Sequence, residues 1–163
     1  MSVATTPQPT GMLGELKLHR LLVAIDGSAN AELAVSAAIT AARRDNATLT
    51  LLTVGPDLAA GPAAWSVPVA ATIDQKAVDD DGCQRLNDIV ERIPADIPVH
   101  KIYRRGKAGP EIIRAAKEGD YDAILVGARG VGRVGALMGS VSSYVLHNAD
   151  IAVFVAHAPR DHA

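Results

Sequence analysis

The sequence predicts an α/β fold, an open parallel five-stranded sheet with helices on both faces. Three observations lead to this prediction. Short apolar segments alternate with longer segments of helical periodicity, as in proteins built from strand–helix–strand units. The apolar segments are continuous rather than alternating, which is typical of strands buried on both faces. A chain of 163 residues, 48% of them hydrophobic, is long enough for one such domain with a sizeable core.

Each strand and helix is predicted from its own local pattern. Residues 21–25 are a continuous apolar run that ends at Asp26, which places Asp26 at the carboxyl tip of the first strand. Ser28 or Asn30 is expected to cap the next helix, and Pro110 to occupy the first position of the third helix. The further strands cover residues 47–54, 98–103, 123–126 and 151–156, and the helices cover residues 31–44, 73–93, 110–117 and 141–147.

Segments without clear periodicity lie at both termini and after the second strand. We expect residues 1–17 to be a flexible N-terminal tail, residues 18–158 to form the folded domain, and residues 159–163 to be a C-terminal tail. Residues 55–71 hold three prolines and the single tryptophan. A loop of this length is either a functional lid or a disordered segment.

Three consecutive aspartates, residues 79–81, stand in the first turns of the second helix. We interpret them as a solvated face whose negative charge complements the helix dipole. A metal site is the less favoured interpretation, because consecutive helical positions point in different directions and do not converge on one ion.

A glycine-rich segment between the fourth strand and the last helix is the strongest candidate for a ligand site. It contains five glycines and two arginines, Arg129 and Arg133, and it ends at Gly139 and Ser140, where the helix begins. Glycines let backbone N–H groups approach a phosphate, and the helix N-terminus adds unpaired donors. Ligands of open α/β sheets bind beyond the carboxyl ends of the strands, so Asp26 would lie nearby. The arginines are also compatible with simple solvent exposure, and Asp26 with a turn or capping role alone.

Two familiar phosphate-binding motifs do not fit this segment. Residues 130–135 match the G-x-G-x-x-G pattern of dinucleotide-binding proteins. That motif needs an acidic residue at the tip of the following strand, whereas this strand ends at Ala156 and His157. A P-loop is excluded because the only Gly-Lys pair, Gly106 and Lys107, is not followed by Ser or Thr.

A different spacing in the same segment resembles the nucleotide loop of the universal stress protein family. Gly127, two residues, Gly130, eight residues, Gly139 and Ser140 follow each other in order. The usual family form is G-x2-G-x9-G-[ST], so the spacer here is one residue shorter. The resemblance covers about residues 18–158, and its further matching segments are residues 23–28, 51–54, 121–127, 139–149 and 151–155.

This resemblance implies an adenine-nucleotide-binding protein, often dimeric. Its sheet would have the order 3-2-1-4-5 of the Rossmann-like, adenine nucleotide alpha hydrolase-like folds. The implied ligand is ATP, or AMP or cyclic AMP, with Mg²⁺ as an optional phosphate-bound ion near Asp26. Asp26 would lie at the adenosine end, the Val54 backbone would read the adenine edge, and Gly127 would approach the ribose. Phosphates would contact Gly130, Gly139, Ser140 and Ser142. The full implied nucleotide-binding set is Asp26, Gly27, Ser28, Val54, Gly127, Arg129, Gly130, Gly139, Ser140, Val141 and Ser142.

The sequence contains no evident catalytic constellation. Cys83 has no histidine nearby, the five histidines lack metal-ligand spacing, and Ser140 lacks the G-x-S-x-G context. We therefore predict binding rather than catalysis, and the resemblance implies that this binding serves stress response or signalling. Two alternatives stay open: a nucleotide-independent dimeric interaction module, and a slow ATPase or other adenylate-chemistry enzyme.

Charge and hydropathy argue against nucleic-acid and membrane partners. A net charge of −2 provides no electrostatic attraction to nucleic acid, and no apolar run approaches the roughly 18 residues that cross a bilayer. The single cysteine and the absence of signal-peptide features near Met1 lead us to expect a cytoplasmic protein. The last strand, which runs from Ile151 through Val155, would be an apolar sheet edge. We therefore expect a homodimer through this strand.

Overall fold

The computed structural model describes residues 16–60, 74–128 and 138–157. Its five strands form one parallel sheet in the order β3-β2-β1-β4-β5, which confirms the predicted fold class and strand order. The elements are β1 (Arg20–Ala24), α1 (Ala29–Asp45), β2 (Thr48–Gly55), α2 (Gln75–Val90), β3 (Val99–Arg105), α3 (Ala108–Glu118), β4 (Ala123–Gly127), α4 (Ser140–Asn148) and β5 (Ala152–Ala156).

The central strands are buried on both faces, as their continuous apolar character predicts. Leu21, Leu22 and Val23 of β1 are fully buried. Leu21 and Val23 pack into the cluster beneath α1 and α2, whereas Leu22 packs into the cluster beneath α3 and α4. Because successive strand side chains point to opposite faces, one apolar run supplies both layers of the core.

Local signals near Ser28 and Asn46 define the two ends of α1. The Ser28 hydroxyl accepts a hydrogen bond from the Ala31 N–H at 3.1 Å, which confirms the first of the two predicted caps. The helix ends at Asn46, whose φ of 56° is left-handed. Asparagine tolerates this conformation better than most residues.

Some predicted helix boundaries are wrong by two or three residues. The first helix, α1, begins at Ala29 rather than at residue 31, and α2 begins at Gln75 rather than at residue 73. The third helix, α3, begins at Ala108, so Pro110 occupies its third position rather than its first. Proline is tolerated there because the first turn of a helix has no intrahelical acceptor for its N–H groups. The second helix, α2, ends at Val90 rather than at residue 93. Ile93 is still buried, and its N–H donates to the Val90 carbonyl at 3.0 Å in a turn that follows the helix. The apolar stripe therefore continues past the end of the helix.

Several predictions concern residues outside the described ranges, which exclude residues 1–15, 61–73, 129–137 and 158–163. The predicted loop after β2 is therefore described only as far as residue 60. Arg129, Gly130 and Arg133 also fall outside. Among the helices that are described, none combines the length and hydropathy needed to cross a membrane.

Candidate functional site

A cavity of about 230 Å³ lies where β1, β2 and β4 end and where α3 and α4 begin. Of the eleven residues in the predicted nucleotide-binding set, Gly27 and Ser28 do not line it. Arg129 and Gly130 lie outside the described residues. The other seven all line the cavity: Asp26, Val54, Gly127, Gly139, Ser140, Val141 and Ser142.

The turn between β1 and α1 forms one rim of the cavity. Asp26 is exposed, and its Oδ1 accepts a hydrogen bond from the Ser28 N–H at 2.9 Å. Gly27 has a φ of +80°, a conformation that glycine adopts without steric cost. The Ser28 hydroxyl accepts a hydrogen bond from the Ala31 N–H of α1. In this turn, Asp26 contributes a carboxylate to the cavity, while Gly27 and Ser28 shape the backbone.

Gly127, the last residue of β4, is required by the packing of the strand end against α1. A Cβ at this position would lie 2.7 Å from the Asn30 carbonyl carbon and 2.8 Å from the Ala31 nitrogen. Both are backbone atoms, so a side chain would force the strand and helix apart. The glycine therefore brings the α1 N-terminus close to the cavity.

The start of α4 is tied to the end of β4 on the other side of the cavity. The Gly139 N–H donates to the Ala128 carbonyl at 2.5 Å. The Ser142 Oγ lies 3.0 Å from that carbonyl and 3.0 Å from the Gly139 carbonyl, so its hydroxyl donates to one or the other. Ser142 is buried, whereas Ser140 is exposed. Ser142 thus holds the turn, and Ser140 presents a hydroxyl at the cavity.

A second helix N-terminus, which was not predicted from the sequence as part of the site, reaches the same cavity. Ala108, the first residue of α3, and Ile112 one turn later line the cavity. Lys107 caps this helix without a side-chain hydrogen bond. Only the β3–α3 connection at Gly106, with a φ of +136°, signals a sharp turn there. The packing of α3 beside α4 is a tertiary contact, which no local sequence pattern specifies.

The chemistry of the cavity suits a ligand with a flat apolar part and an anionic part. Ala24, Leu52, Val126 and Ile112 provide an apolar wall. The first turns of α3 and α4 provide backbone N–H groups that lack intrahelical acceptors and carry partial positive charge. Among the described residues, no cluster of His, Cys, Asp and Glu could hold a metal ion.

The acidic run in α2 differs from the predicted solvated face. Asp80 and Asp81 form exposed ion pairs with Lys76 and Arg85, each at 2.5 Å. The side chain of Asp79 is only 16% exposed and pairs with Arg105. The hydrogen bond from the Arg105 guanidinium lowers the pKa of the Asp79 carboxyl. The prediction is therefore wrong for Asp79, because its partner lies 26 residues away in sequence.

Comparisons with known proteins assign the chain to a family. The model of the Universal stress protein family matches residues 17–157. The chain belongs to the universal stress protein family. This assignment confirms the resemblance carried by the glycine spacing.

Individual members of the universal stress protein family match most of the chain. Universal stress protein YxiE of Bacillus subtilis (strain 168) is 31% identical over 134 residues, which cover 78% of this chain and 90% of YxiE. The structure of UspA from Lactobacillus plantarum has a TM-score of 0.71 at 25% identity, covering 88% of this chain and 100% of UspA. A universal stress protein in complex with cAMP has a TM-score of 0.66 at 20% identity, again with 88% and 100% coverage.

Proposed function

We propose that this universal stress protein binds an adenine nucleotide, ATP in the first instance, in the cavity at the carboxyl end of its sheet. The observation that carries the proposal is that seven residues chosen from a nucleotide-loop pattern come together around one cavity. The complex of a related protein with cAMP supports the same class of ligand. AMP and cyclic AMP remain candidates beside ATP.

The proposed orientation follows from the distribution of polar groups. The adenine lies in the apolar part near Val54, and the phosphates lie at the N-terminus of α4, near Ser140. Arg129 and Gly130 complete the phosphate site in this proposal. Asp26 lines the same cavity, where its carboxylate accepts hydrogen bonds from ribose hydroxyls or helps to hold a phosphate-bound Mg²⁺.

The proposed role is binding in stress response or signalling rather than catalysis. Asp26 is the only ionisable side chain among the described lining residues, so the described cavity offers no acid–base pair. Slow ATP hydrolysis is the alternative function of the same site. If the protein released phosphate from ATP at enzyme-like rates, ATP hydrolysis rather than binding would be its function.

Calorimetric titration with ATP tests the proposal. We expect saturable binding, weakened about fivefold by S140A, because one hydrogen bond to a charged phosphate is lost, and also weakened by G130A. S143A is the matched control, since Ser143 lies on the same helix but does not line the cavity. The absence of heat at millimolar ATP, with a folded sample, would refute the proposal.

A homodimer through β5 forms the second part of the proposal, and the two sheet edges differ in a way that supports it. The β3 edge carries His100, Lys101, Arg104 and Arg105, and such charges discourage strand pairing. The β5 edge has the sequence AVFVA, and its Phe154 is 42% exposed. Light scattering checks this: F154K should shift a dimeric mass to the monomeric one. A wild-type protein that is monomeric at high micromolar concentration would contradict the proposed dimer. The same result would weaken the alternative of a nucleotide-independent dimeric module.

The proposed location is the cytoplasm. Cys83 is a free and exposed thiol, which is compatible with a reducing compartment.

A further inference from the structure

The face of the sheet opposite the cavity is filled at its carboxyl end by one aromatic ring. A Cβ at Gly55 would lie 1.9 Å from the Tyr103 hydroxyl oxygen, and a Cβ at Gly82 would lie 2.3 Å from Tyr103 Cε2. The ring therefore occupies the space that two glycines leave between β2 and α2. Tyr103 packs with the cluster beneath α1 and α2, whereas Val54 packs with the cluster on the cavity side.

Asp79 anchors this ring. Its Oδ1 accepts hydrogen bonds from the Tyr103 hydroxyl at 2.8 Å and from the Gln75 Nε2 at 2.9 Å. Its Oδ2 accepts from the Arg105 Nε at 3.0 Å. Burial, together with the bond to Asp79, raises the pKa of Tyr103 to about 12, so the hydroxyl stays a donor at neutral pH.

Gln75 connects Asp79 to the backbone that follows Val54. Its Nε2 lies 3.1 Å from the Pro56 carbonyl, and its Oε1 accepts from the Leu58 N–H at 2.9 Å. The Gly55 carbonyl accepts from the Gly106 N–H at 2.9 Å. Residues 55–58 are thus held by side chains of α2 and by the turn after β3.

We propose that Gln75, Asp79 and Tyr103, which we call the clamp, are positioning residues that fix Val54 and the 55–58 backbone at the base end of the nucleotide site. The inference rests on the proposed function. Among the described residues, the clamp reaches the site only through the backbone of β2 and of residues 56–58 that follow it. A strand end that is already ordered loses less conformational entropy when ligand binds, so the clamp raises affinity without contacting the nucleotide.

The decisive variants are Q75E and Y103F, with Q84E as matched control. Q75E replaces the amide, which donates to both Asp79 and the Pro56 carbonyl, with a carboxylate that donates to neither and repels Asp79. Gln84 lies on the same helix and donates to Asp88 at 2.7 Å in the same i,i+4 arrangement, away from β2. Q75E and Q84E each add one negative charge.

Affinities for adenosine and for ATP, measured below the unfolding temperature of every variant, separate positioning from general destabilisation. Q75E should weaken binding of both ligands by the same factor, about five- to tenfold, and Y103F by about threefold. Q84E should leave both affinities unchanged. In contrast, S140A should weaken ATP binding alone, because adenosine has no phosphate.

Hydrogen exchange in the ligand-free protein supplies a second readout. The Leu58 amide should exchange faster in Q75E and at the wild-type rate in Q84E. Wild-type affinity in Q75E, or a loss confined to ATP, would overturn the clamp while leaving the nucleotide site intact. Failure of the wild-type protein to bind either ligand would overturn the proposed function itself, and the role of the clamp in binding with it.

Discussion

The two ends of the parallel sheet use their polar groups in opposite ways. At the amino end, the Asp122 Oδ2 accepts the backbone N–H groups of His19 at 2.6 Å and Arg20 at 2.8 Å. Asp45 accepts the Leu18 N–H at 3.0 Å and two bonds from Arg44, which lower its pKa to about 2. At the carboxyl end, Asp26 receives a hydrogen bond only from the backbone of its own turn, among the contacts that the described residues make.

The amino end of the sheet therefore serves stability, and the carboxyl end serves binding. Carboxylates at the amino end satisfy the N–H groups that lead into β1, so those groups hold the fold together. At the carboxyl end, the first turns of α3 and α4, whose N–H groups lack intrahelical acceptors, line a cavity. We therefore expect changes at the amino end to lower stability, and changes around the cavity to lower nucleotide affinity.

Gly127 is an exception to this rule, because it lies at the carboxyl end but its substitution should lower stability. In G127V, the new side chain would collide with backbone atoms of α1 at less than 3 Å, so a carboxyl-end residue should here destabilise the fold. We expect a loss of about 3 kcal/mol in the free energy of unfolding, because such overpacking forces backbone shifts. Urea denaturation measures it, and an unchanged midpoint would refute the close approach of β4 to α1.

A bulky side chain at the cavity should lower ATP affinity without lowering stability. A108W places an indole where α3 lines the cavity, and we expect ATP affinity to fall about thirtyfold, which corresponds to about 2 kcal/mol. The control is A95W, since Ala95 is an exposed alanine that does not line the cavity. Stability should stay within about 0.5 kcal/mol of wild type in both variants. Equal ATP affinity in A108W and A95W would place the ligand elsewhere.

A smaller effect is expected from the amino end. D122A leaves two backbone N–H groups without their acceptor, and we expect it to cost about 1.5 kcal/mol of folding free energy without changing ATP affinity. D120A is the matched control, because Asp120 is fully exposed and its nearest cation, Arg20, is 3.9 Å away. If both substitutions cost the same, the Asp122 bonds do not stabilise β1.

The smallest effect is a pH dependence from the same carboxylates. The N–H groups of Arg20 and His19 lower the pKa of Asp122, and Arg44 lowers that of Asp45. A carboxyl with a depressed pKa stabilises the fold above its unfolded value of about 3.9, and this stabilisation is lost as the pH falls through the folded value. The urea midpoint should therefore drop between about pH 4 and about pH 2. The drop should be smaller in D122A than in D120A.

Local patterns were sufficient to identify the strands and most of the cavity residues, whereas the strand order followed only from the family resemblance. Continuous apolar runs identify buried strands, and the spacing of Gly127, Gly139 and Ser140 identifies the loop beside α4. The contribution of Ala108 depends on α3 packing beside α4, which no local pattern specifies. The pairing of Asp79 with Arg105 joins distant elements for the same reason, so the sequence predicted only a solvated acidic run.

Backbone amide chemical shifts, recorded while ATP is titrated into the protein, locate the nucleotide site residue by residue. The proposed site predicts saturable shifts at Asp26, Val54, Gly127 and Ser140, with the amides of Leu18 and His19 at the other end unaffected. Shifts confined to the apolar groove beside Phe154 and Leu125, or no shifts at millimolar ATP, would contradict a nucleotide site at the carboxyl end of the sheet.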